Sequence, residues 1–347
     1  MLTASPLTTP ESALTGAVAE AVRLNRLPRL TADEGPDLVG AMSHLLMRAI
    51  ADCERAGWRP ERIAEAVRPA RDAHAASPFV RRLQAWPRGY AGDFETVEYI
   101  LDRRNLAPPE SFAYWIEQHA LDSPIAQQHR NKVRLQAREM VKVARARHDA
   151  GGTARLLVIA SGGGADVGLV QDELSRLGAS VVLVDQDADA LSFARHRLPA
   201  LGTRLSTVCR NVVRGLAAVR PGGPFDLVLA GGLFDYLPDP LAINVLRYAR
   251  ERLLAPGGRV FFTNIGNDNP FRRWIETMGS WHLIHRSTCD LARLCLEAGY
   301  RDGAAGVTCD ATGLALVVRA DDPGIAAVAP SASIDFGSVE SAAVTPA

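Results

Sequence analysis

The sequence predicts an α/β protein: a mostly parallel sheet between helical layers, preceded by an all-α N-terminal domain. Three observations predict it. Short apolar runs alternate with helical stretches from 152 to about 320. The first of those runs is followed at once by a glycine turn, Ser161-Gly162-Gly163-Gly164. Upstream, from 13 to about 147, Val18, Val22, Leu38, Met42, Leu45, Leu46 and Ile50 fall mostly three and four apart, with few β-branched runs between them.

Taken in order, residues 1–12 are rich in Thr, Ser and Pro and read as a flexible tail, and 13–147 reads as the helical domain. Within 148–320, strands are expected at 155–160, 180–184, 204–209, 225–230 and 259–264. Residues 307–310 and 313–318 read as a closing antiparallel hairpin that turns near Ala311-Thr312-Gly313. Residues 321–347 are dominated by Ala, Pro and Ser, lack periodicity, and are expected to be disordered.

The chemistry starts at the glycine turn. Leu156-Leu157-Val158-Ile159-Ala160 reads as a buried strand, and Ala165-Asp166-Val167-Gly168-Leu169-Val170 opens a helix. Val181-Val182-Leu183-Val184 is a second strand that ends in Asp185. Strand, glycine turn, helix and a strand ending in an acid make a nucleotide-binding βαβ unit. The glycines let backbone approach a ligand closely, and the carboxylate can accept both hydroxyls of a ribose. A dinucleotide site wants glycine at the first, third and sixth places, and Val167 holds the sixth here. No lysine follows as a P-loop requires.

Two further segments complete a different pattern. Phe225-Asp226-Leu227-Val228-Leu229-Ala230-Gly231-Gly232-Leu233-Phe234-Asp235-Tyr236 resembles the fourth strand and active-site loop of class I S-adenosylmethionine (SAM) methyltransferases. Leu254-Ala255-Pro256-Gly257-Gly258-Arg259-Val260-Phe261-Phe262 resembles their fifth-strand signature. The resemblance implies that family's Rossmann-like sheet with its last strand antiparallel, SAM as cofactor, and 148–320 as the SAM-binding domain. It implies that Ser161, Gly162, Gly163 and Gly164 line the cofactor, and that Asp185 holds its ribose. It places Gln186 beside the adenine, Asn211 against the adenine amino group, and Gly231 in the pocket wall. Many members carry an acid just before the glycine loop that helps hold the methionine ammonium. This chain has Ala160-Ser161 there, which leaves that task to backbone carbonyls, to Asn131 or to the N-terminal domain.

The segments 86–95, 123–132 and 232–236 resemble parts of a bacterial subfamily with a helical N-terminal extension. That subfamily includes 3-hydroxypalmitate methyl ester synthases and enzymes that cyclise SAM to azetidine-2-carboxylate. On this resemblance the helical domain lids the cofactor and shapes the acceptor site. Its bland role is to stabilise the fold or support dimers, with a homodimer allowed. Tyr90, Asn131, Tyr236 and Asp235 are the candidate catalytic residues, and Arg88, Asp93, Tyr114, Phe234 and Arg286 the candidate substrate contacts. Tyr90, Tyr114, Phe234 and Tyr236 qualify because a ring face stabilises a sulfonium. His129, His282 and Asp235 are candidate bases for a hydroxyl or carboxylate acceptor. Trp274 and Trp281 are placed on a lid after the fifth strand. A structural alternative stands beside these roles: Gly89 and Gly92 make a tight turn, Asp93 caps the next helix, and Arg286 caps another.

Composition bounds the function. The 347 residues suffice for one large domain or two ordinary ones, and a hydrophobic content of 47% supports a real core. Lys+Arg and Asp+Glu both number 39, so no global field recruits nucleic acid or anionic membrane. No apolar run follows Met1, and no apolar stretch approaches the roughly 18 residues that span a bilayer. A cytoplasmic protein is therefore expected. Cys53, Cys209, Cys289, Cys295 and Cys309 are odd in number and lack paired spacing, so they read as reduced, mostly buried thiols. His282 and His285 could share a helix face, but no third ligand lies near, and no metal is expected. The expected function is SAM-dependent methylation of a small-molecule hydroxyl or carboxylate in secondary metabolism or signalling. The alternatives are SAM cyclisation with release of methylthioadenosine, and a SAM-binding protein without turnover.

Overall fold

The computed structural model describes residues 9–321, without the side chains of 213 and 214. The proposed flexible residues 1–8 and the proposed disordered residues 322–347 lie outside the described residues. The chain forms two compact units. One comprises Met1–Arg130 with Asp268–Leu283, and the other Asn131–Asn267 with Ile284–Ala347.

The first unit is helical: α1 (Pro10–Asn25), α2 (Gly35–Arg55), α3 (Pro60–His74), α4 (Pro78–Ala85), α5 (Phe94–Asp102), α6 (Phe112–Asp122) and the first turns of α7 (Pro124–Asp149). Helix α1 starts inside the stretch expected to be flexible. The Thr9 hydroxyl accepts from Ser12 N, and Pro10 sits in the first turn, where its missing N–H costs nothing. Glu117 on α6 is fully buried and organises this unit. Its carboxylate accepts from the Ser77 hydroxyl (2.8 Å), Phe79 N (3.0 Å), the Tyr99 hydroxyl (2.7 Å) and Leu106 N (2.6 Å). Four donors around one carboxylate satisfy a charge that burial would otherwise penalise heavily.

The domain boundary expected at 147 falls instead within α7, after Arg130, because the later turns of α7 belong to the sheet's core. Met140 and Ala144 pack in one cluster with Leu156, Val158, Leu227 and Leu229. The segment 268–283 also departs from the sequence reading and belongs to the helical unit. The Arg71 guanidinium donates to Thr277 O (3.1 Å), Gln84 Nε2 donates to Met278 O (2.8 Å), and Trp281 stacks on His129 with ring centroids 5.3 Å apart.

The second unit carries seven strands in the order β3-β2-β1-β4-β5-β7-β6. They are β1 (Arg155–Ile159), β2 (Ser180–Asp185), β3 (Leu205–Cys209), β4 (Phe225–Ala230), β5 (Leu254–Ile265), β6 (Ala305–Cys309) and β7 (Ala315–Asp321). The first five are parallel, and the β6–β7 hairpin joins antiparallel to β5, as expected. Between strands lie α8 (Ala165–Gly168), α9 (Gln171–Arg176), α10 (Ala188–Arg197), α11 (Val212–Val219), α12 (Asp239–Tyr248), α13 (Arg272–Thr277, in the helical unit) and α14 (Thr288–Glu297). Side-chain alternation sends Leu157, Ile159, Val228 and Ala230 to one face, against Leu216, Leu246 and Leu294. Leu156, Val158, Leu227 and Leu229 go to the other face, against Val167, Leu174 and Leu191. With both faces covered, strands such as β4 are buried at every position. Chemistry is left to the loops at the strand ends.

Of the five cysteines, Cys53 and Cys295 are buried, while Cys209, Cys289 and Cys309 are exposed, which corrects the expectation of mostly buried thiols. Among the described residues no helix is long and apolar enough to cross a membrane.

Candidate functional site

Parallel strands that turn into helices leave backbone donors and loop side chains at their carboxyl ends, and ligands of such sheets bind there. At the end of β1, Ala160 adopts a left-handed φ of 51°, and Gly162 and Gly164 follow at 51° and 64°. This chain reversal suits glycine and strains alanine. It leads into α8, where a side chain on Gly164 would press 3.3 Å from Leu198 and 3.4 Å from Ala194. Gly163 O accepts from the Arg197 guanidinium at 3.1 Å.

Asp185, at the end of β2, ties this loop down. Its Oδ2 accepts from Gly162 N (2.8 Å) and its Oδ1 from Asp187 N (2.9 Å). Burial pushes its carboxyl above the usual range, against the pull of those backbone donors. Gln186 N adds a third backbone bond to this carboxylate, whose two oxygens together offer about four acceptor sites. The register Asp185↔Cys209 sets the ends of β2 and β3 side by side. There Asn211 Nδ2 donates to Gln186 Oε1 at 3.4 Å, both residues being exposed, so two predicted base contacts meet at one edge. The Ser161 hydroxyl is buried and has no hydrogen-bond partner among the described residues. A buried polar group of that kind calls for a ligand or water partner.

The end of β4 lies beside the end of β1, in register Ile159↔Ala230. Gly231 lies close under the Gln136 side-chain amide from α7, which a Cβ there would displace. Its carbonyl accepts from the Thr263 hydroxyl of β5. A single turn of 3-10 helix, Leu233–Asp235, follows. Tyr236 is 40% exposed there, so its ring is available at the surface. Asp235 is buried, its Oδ1 accepts from Ile265 N at 2.6 Å, and its Oδ2 faces Lys132 Nζ at 3.7 Å. Burial raises its carboxyl above the usual range, while Lys132 opposes that shift. Its acceptor bond anchors the end of β5, so Asp235 holds structure as well as charge. Asn131 Nδ2 donates to Asp310 Oδ2 at 2.7 Å, at the turn of the β6–β7 hairpin.

Several predicted contacts are engaged by the protein itself. Phe234, read as a substrate contact, is fully buried and stacks on Phe262 with centroids 4.1 Å apart. Arg286, read as a binder of an acceptor carboxylate, is buried, and its donors go to Phe234 O, Asn264 Oδ1, Leu237 O and Asp239 Oδ1. It caps no helix; it pins the loop after β4. Asp93 is buried, caps α5 by accepting from Thr96 N (2.9 Å), and pairs with Arg82 at 2.6 Å. Gly89 and Gly92 have φ of 84° and 68°, the tight-turn alternative.

The remaining candidates lie in the helical unit. Arg88 pairs with Glu95 at 3.3 Å and lies over the Phe94 ring at 4.9 Å. Tyr90 is half-buried in the turn before α5, and Tyr114 on α6 packs edge-on against Trp115. His129 is stacked on Trp281, and Trp274 is buried against His74. His282 is exposed in a non-helical stretch that also contains His285, so the two share no helix face.

Sequence reasoning missed three residues of the sheet unit: Lys132, Gln136 and Asp166. Asp166, in the first turn of α8, is buried, and burial lifts its carboxyl to about 6. Val167 N donates to its Oδ1 at 2.9 Å, and Arg197 lends charge, but neither offsets the desolvation. The folded value lies above the ordinary 3.8, so the fold favours the protonated acid. The resulting penalty is absent below the ordinary value, grows between about pH 4 and 6, and is fully present above about 6. Asp166→Asn keeps the acceptor for Val167 N and removes that penalty. It should stabilise the protein at pH 8 by on the order of 2 kcal/mol, and by much less at pH 4.5. Urea midpoints at the two pH values check this. An equal difference at both would mean that Asp166 ionises in the fold as it does in water.

Comparison with known proteins agrees with this fold. Residues 157–260 match the methyltransferase domain family. The chain is 30% identical over 166 residues to a ubiquinone biosynthesis O-methyltransferase of Azotobacter vinelandii, covering 47% of this chain and 65% of that one. It is 36% identical over 131 residues to the protein of the same name from Xanthomonas campestris, covering 38% and 50%. The chain thus spans half to two thirds of the length of these relatives. A possible exported protein from Bordetella parapertussis shares the fold at a TM-score of 0.53, with 14% identity over 93% of this chain and all of that one. The sheet unit thus has the Rossmann-like methyltransferase fold, its residues 157–260 resemble the methyltransferase domain family, and S-adenosyl-L-methionine is the expected cofactor.

Proposed function

We propose that this chain is a SAM-dependent methyltransferase that methylates an oxygen of a small molecule. The observation that carries the reading is the loop at the end of β1, tied to Asp185 through Gly162 N and holding an unpartnered buried Ser161 hydroxyl. Asp185 would hold the ribose, Gln186 and Asn211 would flank the base, and Ser161 with the glycines would line the methionine arm. SAM supplies a methyl group already activated on a sulfonium. The protein's share is then alignment and exclusion of water, which can contribute several kcal/mol. Among the predicted catalytic residues, Tyr236 is the exposed group at the end of β4. Asp235 and Asn131 fix the loops beside it.

The O-methyltransferase relatives support an oxygen acceptor, and the balanced charge supports a small one. Membership in the subfamily of 3-hydroxypalmitate methyl ester synthases rests on the motifs at 86–95, 123–132 and 232–236. Lid and dimer roles for the helical unit belong to the same proposal. Cyclisation to azetidine-2-carboxylate draws no support from the relatives. The purified protein is expected to bind S-adenosylhomocysteine, and with SAM and carboxylate or phenol acceptors to release S-adenosylhomocysteine. Mass spectrometry of the nucleoside product checks this. Methylthioadenosine formed from SAM alone, well above a no-enzyme control, would replace methyl transfer with cyclisation.

A further inference from the structure

A buried ammonium stands at the end of β4 without a matching structural task. Lys132, on α7, is only 4% exposed. A Cβ on Gly232 would lie 4.0 Å from its Nζ, so the ammonium sits against the Gly231-Gly232 turn, one strand over from the Ser161 loop. Among the described residues it makes a single ion pair, to Asp235, at 3.7 Å, too long for a normal hydrogen bond. Asp235 cannot simply move closer, because its other oxygen holds Ile265 N. Asp310, the next carboxylate, already accepts from Asn131, from the Thr312 hydroxyl and from Ala315 N. An ammonium has three donors, and burying one with so little satisfaction is costly. Arg286 shows the contrast: all its nearby donors end on protein acceptors.

Position narrows what Lys132 could receive. Gln186 and Asn211 mark the base end of the site at β2 and β3, and the strand order runs from there through β1 to β4 and β5. Lys132 therefore lies toward the opposite, reacting end. We propose that Lys132, steadied by Asp235, is a positioning residue that receives an anionic oxygen of a reactant: the acceptor's carboxylate or phenolate, or the carboxylate of the cofactor's amino-acid arm. Both sources present the same chemistry to the ammonium. An acceptor oxygen held there is bound as the anion, the form whose electron pair a methyl transfer consumes. The inference rests on the methyltransferase reading.

The test uses the full chain and the variants Lys132→Met, Lys132→Arg and Lys132→Met with Asp235→Asn. The double variant removes both charges, so a folding failure caused by a stranded Asp235 is separated from loss of binding. Circular dichroism and urea midpoints establish folding. Calorimetry then compares S-adenosylhomocysteine, methylthioadenosine (the same nucleoside without the amino-acid arm), and octanoate and benzoate added to protein saturated with S-adenosylhomocysteine. If the cofactor's carboxylate is the ligand, loss of the ammonium weakens S-adenosylhomocysteine about tenfold or more and leaves methylthioadenosine unchanged. If the acceptor's oxygen is the ligand, both nucleosides bind as before and the carboxylate probes are lost. Lys132→Arg restores binding in either case. Folded variants that bind all four probes within threefold of the parent overturn the proposal, and so does a parent that binds neither carboxylate while the variants bind S-adenosylhomocysteine normally. A parent that binds neither nucleoside overturns the methyltransferase reading, and the Lys132 proposal falls with it.

Discussion

Asp185→Ala is expected to weaken S-adenosylhomocysteine binding by about 3–6 kcal/mol, a loss of roughly a hundredfold to more than a thousandfold. The reasoning counts bonds. A carboxylate that accepts both hydroxyls of a ribose makes two charge-assisted hydrogen bonds, each contributing about 1.5–3 kcal/mol. The same carboxylate also holds Gly162 N and Asp187 N, so its removal loosens the loop that lines the cofactor. The fold should survive, because the substitution also removes a carboxylate that burial already disfavours in its charged form. Calorimetry on protein shown to be folded measures the loss. Affinity within threefold of the parent would take Asp185 out of the site. Asp185→Asn divides the two tasks: it can still accept from one backbone N–H, but its amide presents donors where the ribose hydroxyls need acceptors.

The parts of the fold that were legible in the sequence are those governed by local pattern. The runs 156–159, 181–184 and 225–230 lie in strands whose buried positions are set by short apolar stretches, and both faces of the sheet are covered. The place of Asp185 at the end of β2 was legible because an acid that ends a buried strand before a turn is a local feature. Gln186 and Asn211 were placed by the family resemblance, and the register of β2 and β3 sets their strand ends side by side. The start of α1 was misplaced because Thr9 and Pro10, read as loop composition, are a cap and a first-turn proline.

What was not legible depends on contacts distant in sequence. Lys132 and Gln136 lie on an amphipathic helix and resemble any solvated positions of α7 until the fold sets them against Gly232 and Gly231. The segment 268–283 shows no shift in composition, yet it joins the helical unit through Arg71 and Gln84. Aromatic and cationic residues near a predicted site invite a ligand role, and Phe234 and Arg286 show how that inference fails. Position in the chain put Phe234 just after β4 and Arg286 well after β5, but did not say which way their side chains point. The helix cap at Asp93, read from the sequence beside its substrate role, was visible because it depends only on the three residues that follow.

Arg286→Leu is expected to destabilise the protein by about 3–5 kcal/mol, with the lower end favoured. The guanidinium donates from Nη1 to Phe234 O and Asn264 Oδ1, both at 2.7 Å, and from Nη2 to Leu237 O at 2.6 Å and Asp239 Oδ1 at 2.8 Å. Removing it leaves two backbone carbonyls and an amide oxygen buried without their donor, and such groups retain the full cost of desolvation. Asp239 moderates the loss because Arg293 still pairs with it at 2.6 Å. Arg286→Lys should recover little, since one ammonium cannot reproduce a planar fork that reaches acceptors on both sides. Urea unfolding with an unchanged slope would read the difference as a shift in midpoint. An acceptor-binding arginine would give the opposite result, with Arg286→Leu leaving the midpoint in place and removing only acceptor affinity.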